Sequence, residues 1–232
     1  MREFGYARAT DVAEAVTLLN DAPNGRFLGG GTNLVDLMKL GVEQPEFLVD
    51  VSGLPLDRIE VTDEGGLLIG ATVSNTALAA DHAVRHGFPV LSQAVLAGAS
   101  GQLRNMATVG GNLLQRTRCG YFTDVRKACN KRAPGSGCPA REGEHHNLAI
   151  LGASEHCVAT HPSDLAVSLI ALDAVVHVRE RTGARRIPLR EFYLPVGDTP
   201  DQEVAMATGA LITAISVPAL PMAARSRYRK VR

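Results

Sequence analysis

The spacing of apolar residues predicts alternating helices and strands along most of this 232-residue chain. Val12, Ala15, Val16 and Leu19 recur at the interval of one helix face, so residues 10–19 are predicted to form an amphipathic helix with Thr10 as N-cap. Short apolar runs between turn residues predict strands, and one pair predicts a hairpin turning at residues 182–183. Further helices are predicted over residues 34–38, 75–84, 89–99 and 163–174, and strands over residues 26–28, 47–51, 66–73, 175–178, 186–189, 210–217 and 225–232.

A glycine-rich loop lies between the strand at residues 26–28 and the helix that follows it. Residues 29–33 read Gly-Gly-Gly-Thr-Asn, and three successive glycines leave backbone N–H groups unobstructed for a phosphate. An ordinary tight turn explains the same residues. The loop is neither a dinucleotide fingerprint, because position 34 is Leu, nor a Walker A motif, because no Gly-Lys-Ser or Gly-Lys-Thr follows.

A second glycine-rich loop, Thr-Val-Gly-Gly-Asn, occupies residues 108–112. The hydroxyl of Thr108 and the amide of Asn112 are placed to donate hydrogen bonds to an anionic or heterocyclic ligand. Two such loops fit an elongated dinucleotide better than one does, although two ordinary turns remain the alternative. If the ligand reading holds, a side chain at Gly30 or Gly111 is expected to take the space of the ligand's phosphates.

Composition excludes several classes of protein. The chain carries 24 Lys and Arg against 24 Asp and Glu, and this zero net charge argues against nucleic-acid binding as its main role. Apolar residues make up 45%, which is enough for a packed core in one or two domains. There is no apolar run long enough for a membrane span, and the first residues lack a signal pattern.

All four cysteines fall within one 39-residue stretch, at Cys119, Cys129, Cys138 and Cys157. Such clustering indicates a shared task, which is a metal cluster, a zinc site or two disulfides. Zinc is disfavoured, because the gaps of nine, eight and eighteen residues differ from the close pairs of structural zinc sites. Residues 115–146 contain seven Arg or Lys against three Asp or Glu and are predicted to be an irregular loop.

Residues 27–34 and 107–113, together with the strand at 211–218, resemble the FAD-binding subunit of the molybdenum hydroxylases, the xanthine dehydrogenase and carbon monoxide dehydrogenase family. The segments around the four cysteines resemble a narrower branch, the FAD subunit of periplasmic aldehyde oxidoreductase, in which an inserted loop holds a [4Fe–4S] cluster. A cubane takes four thiolates, and the surrounding basic residues would offset its negative charge. The resemblance extends over essentially the whole chain.

The resemblance implies an α+β fold of the vanillyl-alcohol oxidase type with FAD between two subdomains. Subdomain 1, of parallel strands and helices, is expected over residues 1–55, and subdomain 2, with an antiparallel sheet, over residues 56–222. Residues 115–158 are the expected iron–sulfur insertion within subdomain 2. The family continues into a third subdomain, so residues 223–232 are expected to begin a part that is missing here.

Carried over residue by residue, the resemblance also assigns site residues. Asp164 lies in a Pro-Ser-Asp motif expected near the flavin or its ribityl chain, although an acid in the first turn of a helix explains it too. Lys230 is expected near the isoalloxazine, where a cation would stabilise the anionic reduced flavin. The expected cluster ligands are Cys119, Cys129, Cys138 and Cys157, and the expected FAD contacts are Phe27, Leu28, Gly29, Gly30, Gly31, Thr32, Asn33, Leu34, Thr108, Gly110, Gly111, Asn112, Asp164, Ile212 and Lys230.

The implied role is electron transfer without a catalytic acid or base on this chain. Electrons would pass from a large molybdenum-cofactor subunit through a small [2Fe–2S] subunit to FAD and an external acceptor. The chain contains no C-x₄-C-x₂-C run of its own, which agrees with that division of labour. The alternatives are an autonomous FAD-dependent oxidase and a scaffold whose cysteines form disulfides or a zinc site. The branch is exported with its partner's signal, so a periplasmic or a cytoplasmic location is expected.

Overall fold

In the computed structural model, which describes residues 1–231, the strands form two sheets of opposite character. The amino-terminal sheet consists of β1 (Gly5–Arg8), β2 (Gly25–Leu28) and β3 (Phe47–Asp50), in the order β1-β3-β2 with both pairs parallel. Parallel neighbours require crossover connections. Helices α1 (Val12–Asp21) and α2 (Leu34–Lys39) lie in the connections from β1 to β2 and from β2 to β3.

The second sheet has five antiparallel strands, in the order β4-β5-β8-β6-β7. Its central strand β8 is the last in the chain, so the fold closes only when residues 211–217 insert between β5 and β6. The hairpin predicted to turn at residues 182–183 is confirmed as β6 and β7. The strands are β4 (Ile59–Val61), β5 (Leu67–Gly70), β6 (Val175–Glu180), β7 (Gly183–Pro188) and β8 (Leu211–Val217).

The main core joins the second sheet to the helices that follow β5. Ile69 and Ile215 from the sheet and Leu91 and Leu169 from the helices are fully buried in it. The remaining helices are α3 (Asn75–Ala80), α4 (His82–Gly87), α5 (Pro89–Ala97), α6 (Gly101–Met106), α7 (Val109–Leu113), α8 (Gly120–Thr123), α9 (Asp164–Ala171) and α10 (Leu189–Phe192). Within residues 1–231 no helix has both the length and the hydropathy needed to cross a bilayer.

Two predicted helices differ in the structure, and in both an aspartate is the N-cap that the sequence prediction missed. The N-cap of α1 is Asp11 and not Thr10, since the Asp11 carboxylate accepts the Glu14 N–H at 2.8 Å. Thr10 instead donates its own N–H to the Glu14 side chain at 2.7 Å. The single helix predicted over residues 75–84 is two helices, because Asp81 is extended and caps α4 through the Val84 N–H.

The carboxyl-terminal segment packs on α5 and does not form the predicted strand over its described residues. Only a 3₁₀ turn, Ala223–Arg225, is regular there. The Ser226 hydroxyl accepts the Val90 N–H at 3.3 Å, and the Tyr228 N–H is donated to Gln93 at 2.8 Å. Arg232, the last residue of the predicted segment, lies outside the described residues.

Candidate functional site

A cleft of about 540 Å³ lies between the two sheets. One wall is the first glycine loop, residues 29–33, and an adjoining wall combines residues of the second glycine loop, residues 108–112, with the first residues of β8. Of the residues expected to contact FAD, the cleft is lined by Phe27, Gly29, Gly30, Gly31, Thr32, Asn33, Leu34, Thr108, Gly110, Gly111 and Ile212. Leu28, Asn112, Asp164 and Lys230 are not among the lining residues.

The first glycine loop presents unused hydrogen-bond donors to the cleft. Among the hydrogen bonds of residues 1–231, none is donated by the backbone N–H of Gly30, Gly31, Thr32 or Asn33. Gly31 has a φ of 72°, a left-handed conformation that a glycine adopts without strain. Polar groups that line a cleft without a partner are available to an acceptor on a ligand.

The first glycine loop lies against the backbone of the segment that leads into the second loop, and against the Thr108 side chain of the second loop itself. A Cβ atom on Gly30 would lie 1.7 Å from the carbonyl oxygen of Met106, and one on Gly29 would lie 3.2 Å from Oγ1 of Thr108. Glycine at position 30 therefore permits a close approach of the segment that leads into the second loop. The contact sets the separation of the two walls of the cleft.

The backbone N–H groups of Gly110 and Gly111 in the second glycine loop are bonded within the protein. The N–H of Gly110 is donated to Ala71 at 2.9 Å, and that of Gly111 to the Thr108 hydroxyl at 3.2 Å, so Thr108 is the N-cap of α7. Asn112 accepts a hydrogen bond from the Ser163 hydroxyl at 2.5 Å. The side chain of Asn112, predicted from the sequence to face a ligand, thus joins α7 to the start of α9.

Charged residues that the sequence analysis did not select form the rim of the cleft. Arg116 donates its N–H to the Asn33 side chain at 2.8 Å and pairs with Glu43 at 2.6 Å. Glu43 also pairs with Arg26 at 3.3 Å. Arg116 follows the second loop closely in the sequence, but nothing in the spacing identifies Glu43, 73 residues away, as its partner.

Thr72 is a second residue that the sequence reasoning missed. It lies just after β5 and lines the cleft. Its hydroxyl oxygen is one of the few buried polar side-chain atoms within residues 1–231 that have no hydrogen-bond partner. A buried hydroxyl without a partner is costly in a folded protein, so its position at the cleft points to a ligand that completes its bonding.

The cysteine loop, residues 115–158, gathers the thiols. Cys119 and Cys129 are buried in one small apolar cluster, and the half-buried Cys138 packs against it. Burial raises the pKa of the Cys157 thiol, and the neighbouring Cys138 and Cys129 raise it further, whereas Lys131 lowers it. Val158, the residue after Cys157, packs against the same apolar cluster.

Over the described residues, the thiols form neither a disulfide nor a site for a single metal ion. All four are free, and no three Cys, His, Asp or Glu side chains are grouped to hold a metal ion. The loop itself is held by side chain to backbone bonds: Asn130 accepts the Gly137 N–H at 2.7 Å and donates to the carbonyl of His156 at 2.9 Å. The predicted [4Fe–4S] cluster is not shown by this arrangement.

Comparison with known proteins places this cleft in a described family. Residues 2–220 match the FAD-binding domain in molybdopterin dehydrogenase. The chain belongs to this family. It is 55% identical to the aldehyde oxidoreductase FAD-binding subunit PaoB of Escherichia coli K12, across the whole chain and 73% of that protein. It is 26% identical to the glyceraldehyde dehydrogenase medium chain of Sulfolobus acidocaldarius, over 99% of this chain and 64% of that one.

A solved structure confirms that the fold is that of a molybdenum-hydroxylase medium chain. The cyanide-inactivated form of Cu,Mo-CO dehydrogenase superposes with a TM-score of 0.69 and 25% identity, over 95% of this chain and 60% of the other. The expected pairing of a parallel sheet with an antiparallel sheet is present, with the cleft of this FAD-binding domain between them. The chain spans less than two thirds of the length of that structure.

The two charged residues expected near the flavin contact each other outside the cleft of the FAD-binding domain. Lys230 donates to one carboxylate oxygen of Asp164 at 2.7 Å, and the Tyr228 hydroxyl donates to the other at 2.5 Å. Burial, followed by the bond to Asp164, raises the pKa of Tyr228 to about 12. The contact ties the carboxyl-terminal segment to the first residue of α9.

His161 supports the end of the second loop in its neutral form. Its Nε2 lies 3.2 Å from the carbonyl of Leu113, its Nδ1 accepts the Ser163 N–H at 3.4 Å, and its ring packs on Tyr193. An Nδ1 that accepts a hydrogen bond carries no proton, so the proton of the neutral ring is on Nε2. Burial lowers the pKa of His161 below its ordinary value, which also favours the neutral ring.

This arrangement makes the stability of the domain depend on pH. Because the pKa of His161 is lower in the folded state, the unfolded state binds the additional proton as the pH falls below about 6.5, and stability is lost with acid. Replacing His161 with Gln is expected to reduce the loss between about pH 7.5 and about pH 5.5. Urea unfolding at both pH values measures this loss of stability. The exposed His146→Gln serves as the control, and an unchanged loss in His161→Gln contradicts the assignment.

Proposed function

We propose that this chain is the FAD-binding, electron-transfer subunit of a heteromeric, molybdenum-dependent aldehyde oxidoreductase. The observation that carries the proposal is the first glycine loop, whose residues line the cleft of a member of an FAD-binding family and include four backbone N–H groups without a hydrogen-bond partner. The aldehyde class is carried over from the name of the E. coli relative. The partners proposed are a large molybdenum-cofactor subunit and a small [2Fe–2S] subunit, because the relatives are called subunits and medium chains.

The residues of the cleft fit FAD in charge, polarity and size. The N–H groups of Gly30 and Gly31 and the guanidinium of Arg116 would hold the pyrophosphate. Leu211 and Ile212 would cover apolar parts of the cofactor and exclude water. A volume of about 540 Å³ falls in the ordinary range for small-molecule sites. When bound, FAD would supply the redox chemistry of the subunit, whose electrons would go to an external acceptor.

We further propose that Cys119, Cys129, Cys138 and Cys157 ligate a [4Fe–4S] cluster, within a fold of the vanillyl-alcohol oxidase type. The support is the donor set: four free thiols on one loop, three of them buried, equal in number to the ligands of a cubane. The excess of Arg and Lys around them suits a cluster with thiolate ligands. When bound, such a cluster supplies one-electron redox chemistry.

Titration of the flavin-free protein with FAD, followed by the loss of flavin fluorescence, tests the cofactor assignment. The wild type is expected to bind one FAD per chain. Replacing Thr72 with Val is expected to weaken binding about fivefold, because one hydrogen bond contributes about 1 kcal/mol. Thr17→Val is the matched control, since Thr17 lies on the exposed side of α1 and bonds only to Ala13.

The outcomes separate the two parts of this test. A wild-type protein that binds no FAD overturns the proposed subunit role. A Thr72→Val variant that binds FAD as tightly as the wild type contradicts the assignment of the Thr72 hydroxyl to the cofactor while leaving the cleft in place.

A further inference from the structure

A continuous chain of ion pairs runs from the cysteine loop to the rim of the cleft. Lys131, two residues after Cys129, donates to Glu203 at 2.9 Å. The other carboxylate oxygen of Glu203 contacts the guanidinium of Arg116, which pairs in turn with Glu43 at 2.6 Å. Glu43 then pairs with Arg26, which lines the cleft.

Lys131, at one end of this series of ion pairs, is so buried that its charge requires a partner. The side chain of Lys131 is only 8% exposed, and its ammonium group donates to the carbonyl of Pro200 at 2.7 Å as well as to Glu203. The Glu203 carboxylate is 21% exposed. A charge held so far from water is stable only while it is paired, so Lys131 and Glu203 fix each other's position.

Arg116, near the start of the cysteine loop, is where this loop meets the FAD cleft. Its guanidinium lies 4.8 Å from the ring centre of Phe122, which packs in the same apolar cluster as Cys119 and Cys129. Its backbone N–H is donated to Asn33, the last residue of the first glycine loop. A shift of the rest of the cysteine loop therefore acts on Arg116 by two routes. One runs from Lys131 through Glu203, and the other runs through Phe122.

The charges in this series of ion pairs suit an anionic ligand. Lys131, Arg116 and Arg26 supply three positive charges against two negative charges on Glu203 and Glu43. One positive charge is left over, and two of the three cations line the cleft. Within this set Glu203 alone joins the buried Lys131 to Arg116, which lines the cleft.

We propose that Glu203 is a positioning residue that couples order in the cysteine loop to the affinity of the cleft for FAD. The inference rests on the proposed FAD-binding function and adds a second, linked site to it. In this arrangement Lys131 fixes one carboxylate oxygen of Glu203, the other oxygen contacts Arg116, and Arg116 lines the cleft. Because coupling between two sites is reciprocal, FAD must stabilise the closed cysteine loop by the same factor.

The test uses the wild type and the variants Glu203→Gln and Lys131→Met, with Glu191→Gln as matched control. Glu191 is 63% exposed, and its carboxylate pairs with Arg190. Titration with FAD is expected to show affinity lowered by about tenfold in the first two variants, within the usual range of coupling between sites. Glu191→Gln is expected to bind as the wild type does.

A second measurement follows trypsin cleavage after Arg126, whose side chain is 85% exposed in the cysteine loop. FAD is expected to slow this cleavage in the wild type, because proteolysis tracks the population of the open loop. The protection is expected to be lost in Glu203→Gln even if that variant unfolds at the same urea concentration as the wild type. A residue that merely stabilised the fold would leave the FAD-dependent protection in place.

The outcomes distinguish the inference from the function on which it rests. If the wild type binds no FAD, the proposed function is overturned and the inference with it. If the wild type binds FAD and both folded variants bind it equally well, only the coupling is overturned. If the variants fail to fold, the wild type decides: cleavage slowed by FAD supports the coupling, and cleavage at an unchanged rate overturns it.

Discussion

Replacing Gly30 with Val is expected to abolish FAD binding. A Cβ at this position would lie 1.7 Å from the Met106 carbonyl oxygen and 2.5 Å from its carbon, distances that no real Cβ contact shows. The neighbouring atoms belong to backbone, which cannot rotate away as a side chain can. The first glycine loop must therefore move as a unit, and its N–H groups lose their position at the cleft wall.

Two other glycines provide a graded comparison. A Cβ on Gly111 would lie 3.0 Å from the Thr108 hydroxyl, so Gly111→Val is expected to have a smaller effect. A Cβ on Gly87, in α4, meets nothing within 4 Å, and Gly87→Val is expected to leave FAD affinity unchanged. FAD titration of the three variants measures the series. A Gly30→Val protein with wild-type affinity contradicts the contact between the loops.

The physical reason for the Gly30 effect differs from the one that the sequence suggests. From the sequence, the expected obstacle to a side chain is the phosphate of the cofactor. In the structure it is the backbone at Met106, because the first glycine loop lies there against the segment that leads into the second loop. Gly30 thus shapes the cleft before any ligand binds.

Replacing any one of the four cysteines with Ser is expected to lower iron from about four atoms per chain, the content of a cubane, to near zero. Three of the thiols, those of Cys119, Cys129 and Cys138, lie in or against one small apolar cluster, so the loss of one ligand is expected to open the site to water and to oxidation. FAD is expected to remain bound with reduced affinity, since the Lys131–Glu203 pair connects the loop to the cleft. Iron, sulfide and flavin analysis after anaerobic purification measures these contents.

The His146→Gln variant is the control for this series, because His146 is exposed and lies on the same loop. This variant is expected to retain full iron. Four Cys→Ser variants that all keep full iron contradict the cluster. Zinc in place of iron in the wild type favours the alternative of a zinc scaffold. A colourless, metal-free protein whose cysteines resist alkylation until reduced favours the alternative of two disulfides.

Several elements could be predicted because their signals are local. The hairpin of β6 and β7 follows from a turn flanked by apolar runs, and α5 begins at Pro89 as an N-terminal proline predicts. The choice between Thr10 and Asp11 as N-cap could not be predicted, since both side chains are competent and the geometry around Glu14 decides. β1 and β4 have only four and three residues and were not predicted. Such short strands are stable only through pairing with β3 and β5.

The sequence by itself determined the chemistry that this protein carries: two glycine loops, four cysteines within one basic segment, and the family to which they belong. Only the tertiary structure decided how these parts meet. It set Gly30 against Met106, left Thr72 without a partner in the cleft, and joined Lys131 to Glu203, 72 residues further along the chain. Propensity and periodicity act over a few residues. Contacts between residues so far apart in the sequence form when β8 inserts into its sheet and brings distant segments together.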